Sequence, residues 1–533
     1  MSARPGKVAL FEQLAVDGMD YMFGNPGTVE QGFLDLADHS GTDYVLALHE
    51  GVAVGMADGY ARAAQRPALV QLHSGVGLGN GIGLLYQAKR GGSPLVVLVG
   101  ESGIRYDAMD AQMAADLVAM AEPVTKYATR VVDPGSLLRV LRRAVKIAMT
   151  PPRGPVMVVL PADVLDQLTD EPAVPTVLPS TRVVPAGDDI ARAAELLLAG
   201  SHPIVLMGDG VAVSGAQAEL AAVADRLGAP VWGVNSSEVN LDTTHPRFAG
   251  NLGHMFGRDS ARIVGEADSV LIVGTYVFPE VFPELASPFR PDARIVHIDL
   301  DAYEIAKNFP VDLGLVADPK LTLEALAGEL ARRGEAVKPV PVTRPAAAEV
   351  PETMMEQFAR ELARQAPAEL AVFDEALTAS GPLTRHLPPR LPGTYFQTRG
   401  GSLGVGIPGA LGVKLARPDL KVVGFTGDGG SMYTIQALWT AARHHIDAKF
   451  VICNNRRYRL LDLNIEQYWR ELGIPSHGFP DAFDLSRPDI RFADLAASLG
   501  VPGLRVEKPE QVAGAIETLL SHDGPFLIDL ITE

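Results

Sequence analysis

Cysteine is almost absent from the 533-residue chain. The single thiol, Cys453, excludes an internal disulfide framework and a cysteine zinc cluster, and it suits a reducing compartment. A cytoplasmic location is the expectation. No uninterrupted apolar run approaches the ~18 residues of a membrane span. The opening stretch, MSARPGKVALFEQLAVDGMDY, is broken by Glu12, Asp17 and Asp20, so it predicts an amphipathic helix and not a signal peptide. Positive charge is in deficit: 46 Lys and Arg against 64 Asp and Glu give a net charge of −18, with no long basic run. That argues against nucleic acid and anionic lipid as partners. Low-complexity segments are absent too, since the 53 glycines and 40 prolines are dispersed and read as tight turns.

What is present is alternation. Short, β-branched, apolar runs recur between longer helical patterns. They include Asp43–Leu48, Ala68–Leu72, Leu95–Gly100, Val156–Leu160, Ile204–Met207, Val270–Gly274, Ile295–Asp299, Val422–Thr426 and Phe450–Cys453. Strands apolar on both faces, each followed by a helix, predict an α/β fold of doubly wound parallel sheets. Two proline-rich stretches, Thr169–Asp188 and Lys338–Glu352, read as extended linkers. They divide the chain into domains at 1–180, 181–345 and 346–533.

The last third carries the most specific pattern. Gly427-Asp428-Gly429 follows the strand KVVGFT, and residues 430 to 453 separate it from Asn454-Asn455 at the end of the strand KFVIC. Neighbouring strand ends would bring Asp428 and Asn455 to one hard cation, Mg²⁺ or Ca²⁺. Gly429, Gly430 and Ser431 would open a helix whose N–H groups favour phosphate. The chain contains its own decoy: Gly208-Asp209-Gly210 stands the same distance before Asn235, which is followed by Ser236 where the later copy has a second Asn. A second decoy is Gly404-Val-Gly406-Ile-Pro-Gly409, which satisfies the dinucleotide pattern with Asp428 nineteen residues on. The intervening Arg399–Ser402 and the short strand before it argue against that reading.

In the first third, three strand ends gather polar groups. YVLAL leads into His49-Glu50 and a small-residue helix; PALVQL ends at His73; an earlier strand ends in Gly24-Asn25-Pro26-Gly27-Thr28. Ligands bind at such carboxyl edges, which makes Glu50, His73 and Thr28 candidates. Each has a plainer reading: Glu50 as a first-turn acid, His73 as a histidine satisfied by backbone.

FGNPGTVE, LHEGVAVGMADGYARA and LHSGVGLGNGIG resemble the pyrimidine-binding domain of thiamine-diphosphate-dependent enzymes, and GDGG with the later NN resembles their diphosphate-binding motif. The order is pyrimidine-binding, middle, diphosphate-binding. YFQTRGGSLGVGIPGALGVKLARPD and SMYTIQALWTAARHHIDAKFVICNN are similar to the benzoylformate decarboxylase group, VTKYATRV and DAMDAQM to the acetolactate synthases. The resemblance implies that Glu50 promotes the imino tautomer of the aminopyrimidine, that Leu403 wedges the bent cofactor, and that the Gly401 carbonyl accepts from its amino group. It implies Asp428, Asn455 and the Arg457 carbonyl as metal ligands. Gly427, Gly429, Gly430 and Ser431 would contact the diphosphate, with Leu377 and Thr378 closing over it.

His73 matches that group's catalytic histidine, and Thr28 falls near a serine that contacts substrate carboxylate. The implied reaction is non-oxidative decarboxylation of a small 2-keto acid, with carboligation as a companion activity. The alternatives are an acetolactate synthase-like carboligase, a cofactor-binding protein that has lost catalysis and, remotely, a dinucleotide-dependent oxidoreductase. Flavin (FAD) is neither supported nor excluded by the middle third. The family places its cofactor between two subunits, so a homo-oligomer is implied, a dimer at least and a tetramer by resemblance. One departure stands out: the middle segment GTYVFPEVFPE lacks a histidine present in the decarboxylase group. His254 is a weak substitute, and His444-His445 read as cap and surface residues. In RRYRLLDLNIEQYWREL, Leu460 and Leu461 could line a pocket and Arg456 and Arg459 attract an acid, or the segment is a solvated surface helix.

Overall fold

The computed structural model describes residues 3–37, 40–334, 339–342 and 352–532. Its strands, in chain order, begin with β1 (Arg4–Pro5), which pairs antiparallel with β8 (Leu168–Thr169). The first sheet contains β2 (Tyr21–Gly24), β3 (Asp43–Leu46), β4 (Ala68–Leu72), β5 (Leu95–Glu101), β6 (Tyr127–Arg130) and β7 (Val156–Pro161), in the order β3-β2-β4-β5-β7-β6. The second contains β9 (Pro203–Met207), β10 (Val231–Gly233), β11 (Phe248–Asn251), β12 (Ser269–Val273), β13 (Arg294–Asp299) and β14 (Leu313–Val316), ordered β11-β10-β9-β12-β13-β14. The third contains β15 (Leu370–Glu375), β16 (Tyr395–Gln397), β17 (Lys421–Gly427), β18 (Ala448–Asn454), β19 (Gly503–Val506) and β20 (Phe526–Ile531), ordered β16-β15-β17-β18-β20-β19. The central strands pair in parallel, as continuous β-branched runs with helical connections require. The α/β fold of three parallel sheets expected from the alternation is therefore present.

The chain forms two compact units. One comprises Met1–Pro179, Thr353–His386 and Thr398–Glu533; the other comprises Ser180–Glu352 and Leu387–Gln397. The first thus carries both the β4 and the β17 sheets, and the second is built on the β9 sheet. Residues 170–186 are extended without regular structure, as their prolines predict. Most of the second expected linker lies outside the described residues.

Two helices tie the first unit together. Glu50–Ala64 packs against Gly406–Ala416 at backbone distance. A Cβ placed on Gly59 would lie 2.1 Å from the Gly409 carbonyl oxygen, and one on Gly412 would lie 1.9 Å from the Met56 carbonyl oxygen. Only glycine permits that approach. The glycines that imitate a dinucleotide motif are thereby explained: Gly409 presses on the Phe373 ring and Gly406 on the Glu375 carboxylate.

Strand order reverses between β2 and β4 in the first sheet and between β15 and β17 in the third, although each pair is parallel. Crevices open at such switch points, at the carboxyl ends of the strands. Asn25 and His73 follow β2 and β4, and Leu377 and Asp428 follow β15 and β17. Among the described residues no helix is long and apolar enough to cross a membrane.

Candidate active site

Glu50 begins its helix directly after β3, behind the His49 cap whose Nδ1 accepts the Gly51 N–H. Its carboxylate is 5% exposed and is held by two carboxamides: Asn25 Nδ2 at 3.3 Å on Oε1 and Asn80 Nδ2 at 3.0 Å on Oε2. Neither amide stood out in the sequence as a ligand of Glu50. Asn25 was visible in the turn after β2, but Asn80 is hidden in a glycine-rich helix.

His73 caps the helix Ser74–Gly91 after β4, and its Nδ1 lies 2.8 Å from Glu30 Oε2. Glu30 is fully buried; burial pushes its carboxyl above the ordinary value, while His73 pulls it back. A Cβ on Gly27 would lie 1.9 Å from His73 Nδ1, so the glycine turn clamps the ring. Gly77 stands between the two functional candidates: a Cβ there would lie 3.0 Å from Glu50 Oε1 and 3.2 Å from His73 Cβ. Glu50 and His73 are thus brought together. Thr28 is exposed in the same turn.

In the third sheet Gly427 pairs with Cys453, so Asp428 and Asn455 follow adjacent strand ends. Asp428 is buried; its Oδ1 accepts the Gly429 N–H at 2.8 Å, and its Oδ2 is buried with no hydrogen-bond partner. Burial raises its carboxyl to about 6, while the facing backbone N–H groups of Gly429, Arg456, Arg457 and Asn455 pull the other way. Asn455 Oδ1 accepts the Arg457 N–H at 3.0 Å. The neighbouring Asn454 is turned inward, donating to Asp529 at 2.9 Å.

The decoy motif differs in one decisive respect. Asp209 accepts from Ser237 N and Oγ, Glu238 N and Asn240 Nδ2, so protein donors reach both of its carboxylate oxygens. The orphaned oxygen of Asp428 fits a hard cation; the satisfied pair of Asp209 does not. No cluster of three His, Cys, Asp or Glu side chains suited to a metal exists among the described residues. A cation at Asp428 must therefore draw on amide and carbonyl oxygens, which Asn455 and Arg457 can offer.

Three readings need correction. The helix expected to open at Gly429 is a single turn, Asp428–Ser431, followed by looser turns up to the helix Ala437–Arg443. Two successive glycines propagate a helix poorly, so this turn offers the N–H groups of one buried turn and no long macrodipole. Arg456 and Arg459 are ion-paired, with Asp489 at 3.1 Å and Asp462 at 3.6 Å, and are not free to draw in an acid. His444 is the C-cap of the helix Ala437–Arg443, as expected, but it is partly buried and bonded to the Leu46 backbone instead of lying on the surface, unlike the exposed His445. Leu460 is half-buried, and Leu461 is exposed on the helix Arg459–Leu472. His254 is exposed in the second unit, where its carbonyl accepts the Val281 N–H.

Leu377 and Thr378 form a helical turn after β15, with Leu377 at φ +50°. Gly401 has φ +80°, and neither it nor Gly427 has any atom within 4 Å of a built Cβ. Leu403 is half-buried between Gly401 and Gly404.

Three family models match in chain order: the thiamine pyrophosphate enzyme N-terminal TPP binding domain over residues 5–120, the central domain over 190–326, and the C-terminal TPP binding domain over 379–530. The chain belongs to the thiamine pyrophosphate enzymes. Among relatives of this thiamine pyrophosphate enzyme, benzoylformate decarboxylase of Pseudomonas aeruginosa is 32% identical, with 98% of each chain covered. The acetolactate synthase large subunit of Haemophilus influenzae is 29% identical over 98% of this chain and 93% of its own. A solved thiamine diphosphate-dependent 4-hydroxybenzoylformate decarboxylase of Rhodococcus jostii superposes with a TM-score of 0.88 at 29% identity, covering 99% of both chains. The N-terminal model covers β2 to β5 and Glu50, and the C-terminal model covers β16 to β19, most of β20 and Asp428.

Proposed function

We propose that the chain catalyses the thiamine-diphosphate- and Mg²⁺-dependent, non-oxidative decarboxylation of a 2-keto acid, with carboligation as a companion activity. The observation that carries the reading is Glu50, a buried carboxylate held between two neutral carboxamides at a strand end. Such a group can share a proton with a ring nitrogen in a site screened from water. The benzoylformate decarboxylase relative, aligned over almost the whole chain, supports the reaction class.

When bound, thiamine diphosphate supplies the nucleophilic carbon and the electron sink for the departing carboxylate. The residues of the chain bind, orient and move protons. Asp428, Asn455 and the Arg457 carbonyl hold Mg²⁺, with Ca²⁺ as a competent replacement. Gly427, Gly429, Gly430 and Ser431 meet the diphosphate, and Leu377 and Thr378 cover it. Leu403 would lie against the bound cofactor, and the Gly401 carbonyl would accept from its amino group. Glu50 relays the proton at the pyrimidine. His73, its Nδ1–H donated to Glu30, presents Nε2 as the acid–base atom toward substrate. The Thr28 hydroxyl is free to meet the substrate carboxylate.

A second reading, carboligation of the acetolactate synthase kind, is favoured by the synthase relative and by the missing histidine in residues 274–284. The site is completed in a homodimer at least, and in a tetramer by family likeness, in the cytoplasm. A panel of 2-keto acids including pyruvate, benzoylformate and 4-hydroxybenzoylformate tests the proposal, with the cofactor and Mg²⁺ present. Carbon dioxide release without net condensation supports decarboxylation. Acetolactate formation from pyruvate with a flavin-yellow protein supports the second reading, and no turnover of any member contradicts both.

A further inference from the structure

Glu375 is the last residue of β15 and is 1% exposed. Its Oε1 accepts the Gly404 N–H at 2.5 Å and the Val405 N–H at 3.3 Å; its Oε2 accepts the Gly406 N–H at 2.7 Å and the Thr426 hydroxyl at 3.1 Å. These are the leading N–H groups of the helix Gly406–Ala416, whose own N-cap is the apolar Val405 and makes no side-chain capping bond. A helix start left in that state would bury orphan donors. A carboxylate from a neighbouring strand fills the role a Ser or Asp would normally play in sequence. Three of the four donors are backbone N–H groups that cannot accept, so the cradle is complementary to the ionised carboxylate.

The same contacts fix the loop upstream of the helix. Gly404 has φ +95°, a conformation suited to glycine, and its carbonyl accepts from Thr434 Oγ1 at 2.6 Å. At the other end of the loop, the Gly400 N–H donates to Gln87 Oε1 at 2.6 Å, and Ser402 Oγ donates to the Gly83 carbonyl at 2.9 Å. Gly401 and Leu403 are therefore suspended between an anchor on the Ser74–Gly91 helix and an anchor on Glu375.

We propose that Glu375 is a positioning residue: a buried carboxylate that caps the Gly406 helix from β15 and thereby sets the Gly401–Val405 backbone for cofactor binding. The inference rests on the reading of Gly401 and Leu403 as cofactor contacts. Burial raises this carboxyl to about 7 even though the four donors pull it down.

The test uses the full-length protein stripped of cofactor, as Glu375→Gln and as the milder Thr426→Val. Amide hydrogen exchange is read at Gly404, Val405 and Gly406, and the thiamine diphosphate dissociation constant is read by calorimetry with Mg²⁺. Losing charge-assisted bonds should accelerate exchange at these amides by about tenfold or more and weaken cofactor binding by a similar factor in Glu375→Gln. Exchange in β4 and β20 should stay unchanged, which separates loop release from general unfolding. Thr426→Val should shift both readouts in the same direction by less, and it carries the test if the Gln variant does not fold. Unchanged exchange overturns the proposal. Faster exchange with an unaltered dissociation constant also overturns it, while leaving the proposed function standing. If the unaltered protein binds no thiamine diphosphate, the proposed function fails and this inference with it.

Discussion

His444 Nε2 accepts the backbone N–H of Leu46 at 3.0 Å, and Thr440 on the same segment donates its hydroxyl to the Leu46 carbonyl at 3.0 Å. Leu46 ends β3, the edge strand of the first sheet, four residues before Glu50. The outward backbone groups of an edge strand need partners or water. Here the helix Ala437–Arg443 and its C-cap supply both.

The bond requires an unprotonated Nε2. Burial first, then Arg443, lowers the His444 value below the ordinary 6.5; Asp43 raises it and His445 lowers it further. The folded state therefore binds fewer protons than the unfolded chain as pH falls through 6.5. The stabilisation is full above that value and declines as the pH drops toward the lower folded value. His444→Leu, which orphans the Leu46 N–H, should cost about 1–3 kcal/mol at about pH 8. The gap in melting temperature from the unaltered protein should narrow in mild acid. A gap independent of pH would show that the imidazole does not act as an acceptor.

His73 Nδ1 lies 2.8 Å from Glu30 Oε2, so an ionised Glu30 would hold the ring proton on Nδ1. Glu30→Gln leaves the ring in place but lets the amide present a donor to Nδ1, reversing the tautomer. Turnover should fall by about 10²-fold, within the range of acid–base contributions. Cofactor affinity should hold, since Glu30 faces His73. Steady-state kinetics beside calorimetry separates the two, and an unchanged kcat would remove His73 from the proton-transfer role.

Asp428 and Asp209 occupy the same sequence pattern with opposite consequences. Asp428→Asn removes a buried charge whose Oδ2 has no partner, so the cofactor-free protein should melt at an equal or higher temperature while Mg²⁺-dependent cofactor binding is lost. Asp209→Asn breaks a satisfied network and should lower the melting temperature of the second unit, with cofactor affinity unchanged. Scanning calorimetry of the two variants, with and without thiamine diphosphate, distinguishes them.

The contact between Gly412 and Met56 predicts a steric failure. Gly412→Ala places a methyl group 1.9 Å from a backbone oxygen that cannot move without shifting the Glu50 helix. A loss of about 1–3 kcal/mol or more is expected. Activity should fall with it, because Glu50 leads that helix. Gly514→Ala, inside the helix Pro509–Ser521 with nothing within 4 Å, is the contrasting control and should raise stability by about 0.5–1 kcal/mol.

Much of this architecture is local and therefore legible in the sequence. The runs Ala68–Leu72 and Val422–Thr426 are β-branched and apolar, and they are strands. The turn after KVVGFT and the pair Asn454-Asn455 could be read as two strand ends because a parallel sheet brings successive strand ends together. Cys453 reads as core filling, and it is buried with Sγ 3.9 Å from Met355 Sδ.

What escaped the reading is tertiary. Nothing around Glu375 marks a helix cap, because the helix it caps begins 31 residues later. His444 looked like a surface residue because its partner, Leu46, is 398 residues away. The glycines at 404, 406 and 409 imitate a phosphate loop because close backbone approach, whatever its purpose, selects the same residue. The second Asn of Asn454-Asn455 already sets Asp428 apart from Asp209 in the sequence, and the accounting of donors and acceptors supplies the physical reason.

Glu50→Gln tests the central claim most directly. The substitution keeps size and a hydrogen-bonding group between Asn25 and Asn80 but removes the shared proton. Carbon dioxide release from the best 2-keto acid of the panel, measured with saturating thiamine diphosphate and Mg²⁺, should fall by about 10²-fold or more while the melting temperature and cofactor binding persist. Release at the unaltered rate would contradict the assignment of Glu50 and, with it, the mechanism proposed for this chain.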